Sequence, residues 1–105
     1  MRIIKSVLEE ELQNSLRMKE EYEEALKKLP RGSLVKKIIK GRPYYYLAER
    51  KGSKVVYRYL GQPSDKEKEK YEKAKELRKK YRHNLSMVKK QIAYLRSALR
   101  GKEPV

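Results

Sequence analysis

The chain has 105 residues, of which 29 are lysine or arginine and 14 are aspartate or glutamate, so its formal net charge is +15. This length is typical of one small domain, here residues 1–105, and leaves no room for a second hydrophobic core. Cysteine is absent, which excludes disulfides and thiolate metal sites. Apolar runs stay below the ~20 residues of a membrane span, and the N-terminus turns acidic too early for a signal peptide. We therefore expect a cytoplasmic protein with no membrane partner.

The first predicted element is a helix over residues 3–29, which ends where Pro30 and Gly32 interrupt the pattern. Residues 1–30 hold six basic and seven acidic groups, so this helix is nearly neutral. Its apolar residues recur at helical spacing and define one side that we expect to be buried: Ile4, Leu8, Leu12, Leu16, Tyr22, Leu26 and Leu29.

Residues 33–60 show aromatic and β-branched runs separated by glycine-containing turns, which predicts a three-stranded antiparallel β-meander. If both turns are two residues long, alternation defines two faces. We assign the face with fewer charges to the core: Val35, Ile39, Tyr44, Tyr46, Ala48, Val55, Tyr57 and Tyr59. The opposite face is then exposed: Leu34, Lys36, Ile38, Tyr45, Leu47, Glu49, Val56, Arg58 and Leu60.

A second long helix is predicted over residues 64–100. Ser64 and Glu67 form a capping-box pattern at its start, and Gly101 ends it. Apolar residues follow at alternating intervals of three and four, the pattern of a coiled-coil seam: Tyr71, Ala74, Tyr81, Leu85, Val88, Ile92, Leu95 and Leu99.

These elements predict an α+β fold, in which the β-meander lies between two long helices that pack as an antiparallel coiled-coil hairpin. A register in which paired residue numbers sum to about 100 places Leu12 opposite Val88 and Ile4 between Leu95 and Leu99. It also brings the acidic clusters of the first helix close to lysines of the second. Helix pairing between two chains remains an alternative, so we expect a monomer or a homodimer.

The second helix holds the densest positive charge, because no acidic residue occurs between Glu76 and Glu103. Lysine or arginine recurs every seven residues along one stripe, which is about 30 Å long at a helical rise of ~1.5 Å per residue. Such a stripe favours contact with nucleic-acid phosphates. A solvated coiled-coil flank, partly neutralised by the first helix, is the simpler alternative. The candidate contacts here are Lys75, Arg78, Lys79, Arg82, Lys89, Lys90 and Arg96.

A second set of candidate contacts lies in the sheet, where residues 31–61 hold nine basic groups and one acid. Basic side chains on a small sheet can contact phosphates in a groove, and a tyrosine can stack on an unpaired base. Against this, tyrosines in strands usually pack in the core, so we expect one or two at most to touch a ligand. The candidates are Lys36, Lys40, Arg42, Tyr45, Lys54 and Arg58.

Catalytic residues are poorly supported. His83 is the one histidine, with no carboxylate close by in sequence to orient it and no second histidine to complete a metal site. Glu49 is the one acid of the strand region, so a carboxylate cluster for Mg²⁺ cannot form there. We therefore expect no enzymatic activity, no metal and no cofactor.

Part of the chain resembles a short β-module found in small uncharacterised bacterial and archaeal proteins. The resemblance lies within residues 30–61, and it rests on Pro30 to Lys37, Gly41, Tyr44 to Leu47, Lys54-Val55 and Tyr59 to Gly61. The same region is similar to the N-terminal sheets of some insertion-sequence transposases, in which a separate catalytic core follows. The resemblance implies a phage or mobile-element context and a sheet that faces DNA.

The leading hypothesis is a non-catalytic nucleic-acid-binding protein, with DNA favoured over RNA. The alternative is a coiled-coil adaptor, regulator or inhibitor that docks on a nucleoprotein such as a phage-targeted nuclease. An apolar stripe that stays exposed after the helices pair would favour the adaptor, whereas a polar exterior would favour direct nucleic-acid binding.

Overall fold

A computed structural model describes residues 2–101 of the chain. Five elements follow one another and match the predicted bounds to within one residue. They are α1 (Arg2–Lys28), β1 (Ser33–Ile39), β2 (Arg42–Lys51), β3 (Lys54–Gly61) and α2 (Asp65–Arg100). The predicted α+β class, with two long helices flanking a three-stranded antiparallel sheet, is confirmed.

The described residues form two compact units. A helical unit consists of residues 2–28 and 79–101, so it contains α1 and the C-terminal part of α2. A sheet unit consists of residues 29–78, so it contains the three strands and the N-terminal part of α2. Each unit has buried apolar side chains of its own, and the two are described separately below.

In the helical unit, the predicted seam is formed within one chain, so the intramolecular hairpin is confirmed. Val88, Ile92 and Leu95 of α2 are buried, while the α1 seam residues from Leu8 to Leu26 are half-buried. The rings of Tyr22 and Tyr81 pack with centroids 6.1 Å apart, a pair whose residue numbers sum to 103. The register is therefore within about one helical turn of the predicted one.

Two positions in α1 differ from the predicted seam. Ile4 was expected between Leu95 and Leu99, yet its side chain is 44% exposed. Ser15 is almost completely buried, at 1% exposure, although the apolar pattern does not include it. Ser15 is three residues after Leu12 and therefore on the same side of α1, and a search for apolar residues alone overlooks it.

In the sheet unit, the strand order is β1-β2-β3 and both pairs are antiparallel. Both hairpin turns are two residues long, as assumed, because Ile39 pairs with Arg42 and Lys51 pairs with Lys54. The first turn places Lys40 and Gly41 at positive φ (52° and 79°), as a type I′ turn requires. A bulge opposite Tyr45 shifts the register at the end of β3, where Gly61 has a φ of 73°.

The two sheet faces are reversed relative to the sequence prediction. Leu47, assigned to the exposed face, is the most deeply buried apolar side chain of the chain's described part, at 1% exposure. Tyr57 and Tyr59, assigned to the core, are each 57% exposed, and Val55 and Ile39 on the same face are exposed as well. A tyrosine keeps a polar tip in water at low cost, whereas a leucine does not, so the region around Leu47 is buried. Ile38 and Val56, on the same side as Leu47, remain 68% and 44% exposed.

We name the two faces for these residues. The Leu47 face consists of Leu34, Lys36, Ile38, Pro43, Tyr45, Leu47, Glu49, Lys51, Lys54, Val56 and Arg58. The tyrosine face consists of Ser33, Val35, Lys37, Ile39, Arg42, Tyr44, Tyr46, Ala48, Arg50, Val55, Tyr57 and Tyr59. The Leu47 face is turned toward the first part of α2, since the Lys68 ammonium lies 4.8 Å from the Tyr45 ring centroid. The tyrosine face is largely open.

The start of α2 is held as the capping-box pattern predicts. The Ser64 hydroxyl accepts a hydrogen bond from the backbone N–H of Glu67 at 3.2 Å, which pairs one of the free N–H groups of the first turn. Just before the helix, the Gln62 side-chain amide donates to the backbone carbonyl of Pro43. These bonds attach the β3–α2 connection to β2.

Candidate nucleic-acid interface

The candidate surface on α2 is a row of exposed cations. Each of the predicted contacts except Arg78 is exposed to solvent. Residues 79–100 carry seven basic groups and no acid. Because four of the cations recur every seven residues, they follow one side of the helix next to the buried seam. We call this row, Lys75, Lys79, Arg82, Lys89, Lys90 and Arg96, the basic stripe.

Small side chains leave space within the basic stripe. Ser86 and Ala93 lie seven residues apart, and a shallow depression surrounds them that is also lined by Arg82, Leu85, Lys89 and Lys90. An approaching phosphate can therefore come close to the helix surface while the long basic side chains close around it. Three of its six lining residues are basic.

No member of the basic stripe forms an ion pair with an acidic residue among the described residues 2–101. The two ion pairs found there join Lys27 to Glu24 (3.4 Å) and Lys73 to Glu69 (3.8 Å), each within one helix and each exposed. The sequence predicts acidic clusters of α1 next to lysines of α2, but neither of these pairs links the two helices. The positive charge of the stripe is therefore available to a partner.

Arg78 differs from the rest of the predicted set. Its guanidinium is half-buried and donates a hydrogen bond of 2.6 Å to the backbone carbonyl of Pro30, within the sheet unit. This bond gives Arg78 a structural role and explains why an arginine interrupts the apolar heptad at this point. It joins the segment before β1 to the first part of α2.

The predicted contacts in the sheet do not share one face. Lys36, Tyr45 and Arg58 lie on the Leu47 face, where Tyr45 is half-buried beneath Lys68. Arg42 lies on the tyrosine face, and Lys40 is in the β1–β2 turn. The remaining candidate, Lys54, is exposed at the start of β3 and pairs with Lys51. The single basic and aromatic surface expected around Tyr45 is thus divided between two faces and a turn.

The tyrosine face instead brings together tyrosines that the sequence analysis assigned to the core and Lys37, which it assigned to neither face. The Tyr59 ring lies between Tyr46, at a centroid distance of 5.3 Å, and Tyr44, at 6.3 Å. The Lys37 ammonium lies 5.2 Å from the Tyr46 ring centroid and 5.7 Å from that of Tyr57. These are distances at which a cation is attracted to the ring faces. The result is a group of three packed rings, Tyr44, Tyr46 and Tyr59, with Lys37 lying between Tyr46 and the neighbouring Tyr57.

A signal for this surface was present in the sequence. Strand alternation places three cations and no acid on the tyrosine face: Lys37, Arg42 and Arg50. By the same count the Leu47 face carries five charged residues, so charge alone does not identify the buried face. The distinguishing signal is the leucine pair Leu34 and Leu47, because leucine is more often buried than tyrosine.

Two further properties of the described residues bear on other functions. No helix among residues 2–101 combines the length and apolar character needed to cross a membrane. Over the same residues, the acidic and histidine side chains do not gather into any group of three or more able to hold a metal ion.

Comparison with known proteins places the chain in a family. A family model described as a domain of unknown function (DUF6788) matches residues 6–70, more than half of the chain, so the chain belongs to this family. The matched part contains most of α1, the whole sheet and the first six residues of α2. No curated protein matches the chain, and no solved structure matches it.

Proposed function

We propose that this chain is a non-catalytic nucleic-acid-binding protein. The observation that carries the proposal is the basic stripe, in which six exposed cations follow one side of α2 without an acidic partner among residues 2–101. Phosphate groups are the ligands that such a row recognises, and their contacts do not depend on base sequence. DNA is the proposed target, in the cytoplasm and in a phage or mobile-element setting.

The stripe binds by releasing counterions from the nucleic acid. The logarithm of the association constant is then expected to fall linearly with the logarithm of the salt concentration. The slope is about −0.9 for each phosphate contact on duplex DNA. Neutralising two members of the stripe, Arg82→Ala with Lys89→Ala, removes two contacts and flattens this slope by roughly two. The loss of affinity is expected to be similar for all duplex sequences.

The measurement is a fluorescence titration of labelled duplex DNA with the parent and the double variant at several salt concentrations. The matched control is Lys27→Ala with Lys28→Ala, which removes the same charge from the end of α1, next to acidic Glu24. A parent that fails to bind duplex at low salt refutes the proposal. Equal effects of the two double variants would show that net charge, and not the stripe, drives binding.

A second candidate function is supported by exposed apolar side chains in the helical unit. Ile3 and Tyr94 are 78% and 71% exposed, and Val7 and Met87 are exposed to more than half. Around α2, Tyr94 is roughly 140° from Lys89 but only about 40° from Lys90, so the apolar residues of this helix border one side of the basic stripe. An adaptor that docks on a nucleoprotein would use such a surface.

One pull-down distinguishes the two functions. A tagged protein is used to capture partners from host extract with and without nuclease, alongside the Met87→Gln, Tyr94→Ala double variant. Direct nucleic-acid binding predicts partners that vanish after nuclease treatment and persist with this variant. An adaptor predicts partners that persist after nuclease treatment and are lost with this variant.

A further inference from the structure

We propose that the tyrosine face is a binding site for unpaired nucleotides of a DNA or RNA strand. This inference deepens the proposed function and rests on it, but it concerns a different surface from the basic stripe. It assigns a role to Lys37 and to Tyr46, Tyr57 and Tyr59, the three tyrosines that the sequence analysis placed in the core. The occupant follows from exposure, ring geometry and charge.

The rings of this face are accessible to a flat ligand. Tyr57 and Tyr59 lie on β3 with more than half of each side chain exposed. Two residues along a strand correspond to roughly 7 Å, so each ring is able to stack with a different base. Tyr44 and Tyr46 support Tyr59 from the central strand at ring distances of 6.3 Å and 5.3 Å. The exposed rings are therefore held in place before a ligand arrives.

The charge of the face selects an anionic partner. Lys37, Arg42 and Arg50 are on the face itself, and Lys40 is in the β1–β2 turn beside it. Glu49, the one acid of the sheet, is on the opposite face. Lys37 lies over the Tyr46 and Tyr57 rings, where its ammonium is placed to meet a phosphate between two stacked bases. If the partner were an apolar protein surface, these cations would have no oppositely charged group to contact.

Unpaired bases combine the two properties that the face requires. They present flat aromatic surfaces, and a negatively charged backbone connects them. In a duplex those surfaces are hidden in the stack, so the tyrosines reach them only in single strands, loops or ends. The face is therefore expected to discriminate single-stranded from double-stranded ligands, whereas the basic stripe binds both.

The test compares affinities of the full chain for a 12-nucleotide oligothymidine, the matching oligouridine and a 12-base-pair duplex, at about 100 mM salt. Tyr57→Ala and Tyr59→Ala are each expected to lose about 5- to 150-fold in affinity for the single strands and less than about 2-fold for the duplex. Tyr59→Phe keeps the ring and is expected to retain most of the single-strand affinity. Tyr94→Ala, which removes an exposed tyrosine from α2, serves as the matched control.

The outcomes separate this inference from the proposed function. If duplex binding and its salt slope are present but the sheet variants bind single strands like the parent, the tyrosine-face site is refuted and the proposed function stands. If the parent binds no nucleic acid, both fail. Competition by an oligoglutamate peptide as strong as that by oligothymidine would also overturn the site, because it would show recognition of charge without bases. Melting curves establish that each variant is folded, and Tyr57→Ala provides the test if Tyr59→Ala is not.

Discussion

Among the glycines, Gly32 has the closest surroundings for an added Cβ. It precedes β1 with a φ of 97°, and a Cβ built there would lie 2.8 Å from side-chain carbons of Leu47 and 3.1 Å from the carbonyl oxygen of Ala48. Leu47 is itself almost completely buried, so it has little freedom to move away. Both the conformation and the close approach require glycine at this position.

Gly32→Ala is therefore expected to destabilise the protein more than an alanine at a glycine with open surroundings. Gly41 is the matched control, because its φ is 79° and no atom lies within 4 Å of a Cβ built there. Gly41→Ala should lower the free energy of unfolding by about 1–2 kcal/mol, because alanine is strained in the left-handed backbone conformation. Gly32→Ala should cost about 1–3 kcal/mol more, since it also overpacks the site. Urea denaturation measures both, and equal losses would contradict the close approach to Leu47.

At the scale of the elements, the apolar seam of α2 is expected to dominate the stability of the helical unit. Val88 is buried against the α1 side of the hairpin, and an aspartate there would be a charge without a partner. We expect Val88→Asp to lower the free energy of unfolding by about 3 kcal/mol or more, a large part of the total for so small a domain. Tyr94→Asp introduces the same charge on the same helix at a position that is 71% exposed, so it should cost less than about 0.5 kcal/mol.

Circular dichroism during thermal unfolding provides the measurement for both aspartate variants. Equal melting temperatures for Val88→Asp and the parent would mean that the seam is wrongly placed around α2.

The elements themselves were predictable because each has a strong local signal. Helical spacing of leucines defined α1 and α2, Ser64 marked the start of α2, and Gly41 and Gly52 marked the two turns. The sheet faces were not predicted correctly, because alternation identifies which residues share a face but not which face is buried. That choice depends on packing against other elements, and the tyrosines made the wrong face look apolar. The role of Arg78 was missed for a similar reason, since its partner, the carbonyl of Pro30, is 48 residues away in sequence.

At the scale of the whole molecule, the net charge of +15 is expected to oppose folding through self-repulsion. Attractive ion pairs do little to offset it, since the two found within residues 2–101 are exposed and worth roughly 0.3–0.5 kcal/mol each. Added salt screens the repulsion. The melting temperature of the free protein should therefore rise between about 20 mM and about 200 mM salt, while affinity for nucleic acid falls over the same range.

Differential scanning calorimetry without nucleic acid measures this dependence. A variant with Arg82→Glu and Lys89→Glu has a net charge of 15 − 4 = +11, and its melting temperature should depend less steeply on salt. A melting temperature of the parent that falls with salt over this range would show that attractive pairs outweigh the repulsion.

The open edge of β3 has a consequence for the choice of binding variants. β3 is an edge strand, and its residues from Lys54 to Tyr59 are exposed. From Val55 to Leu60, Arg58 is the one charged side chain in a run of β-branched, aromatic and leucine residues. A six-residue segment of this kind without a charge is the type that self-associates edge to edge into aggregates. Arg58 thus acts as a gatekeeper, and replacing it with alanine would confuse loss of ligand contact with loss of solubility.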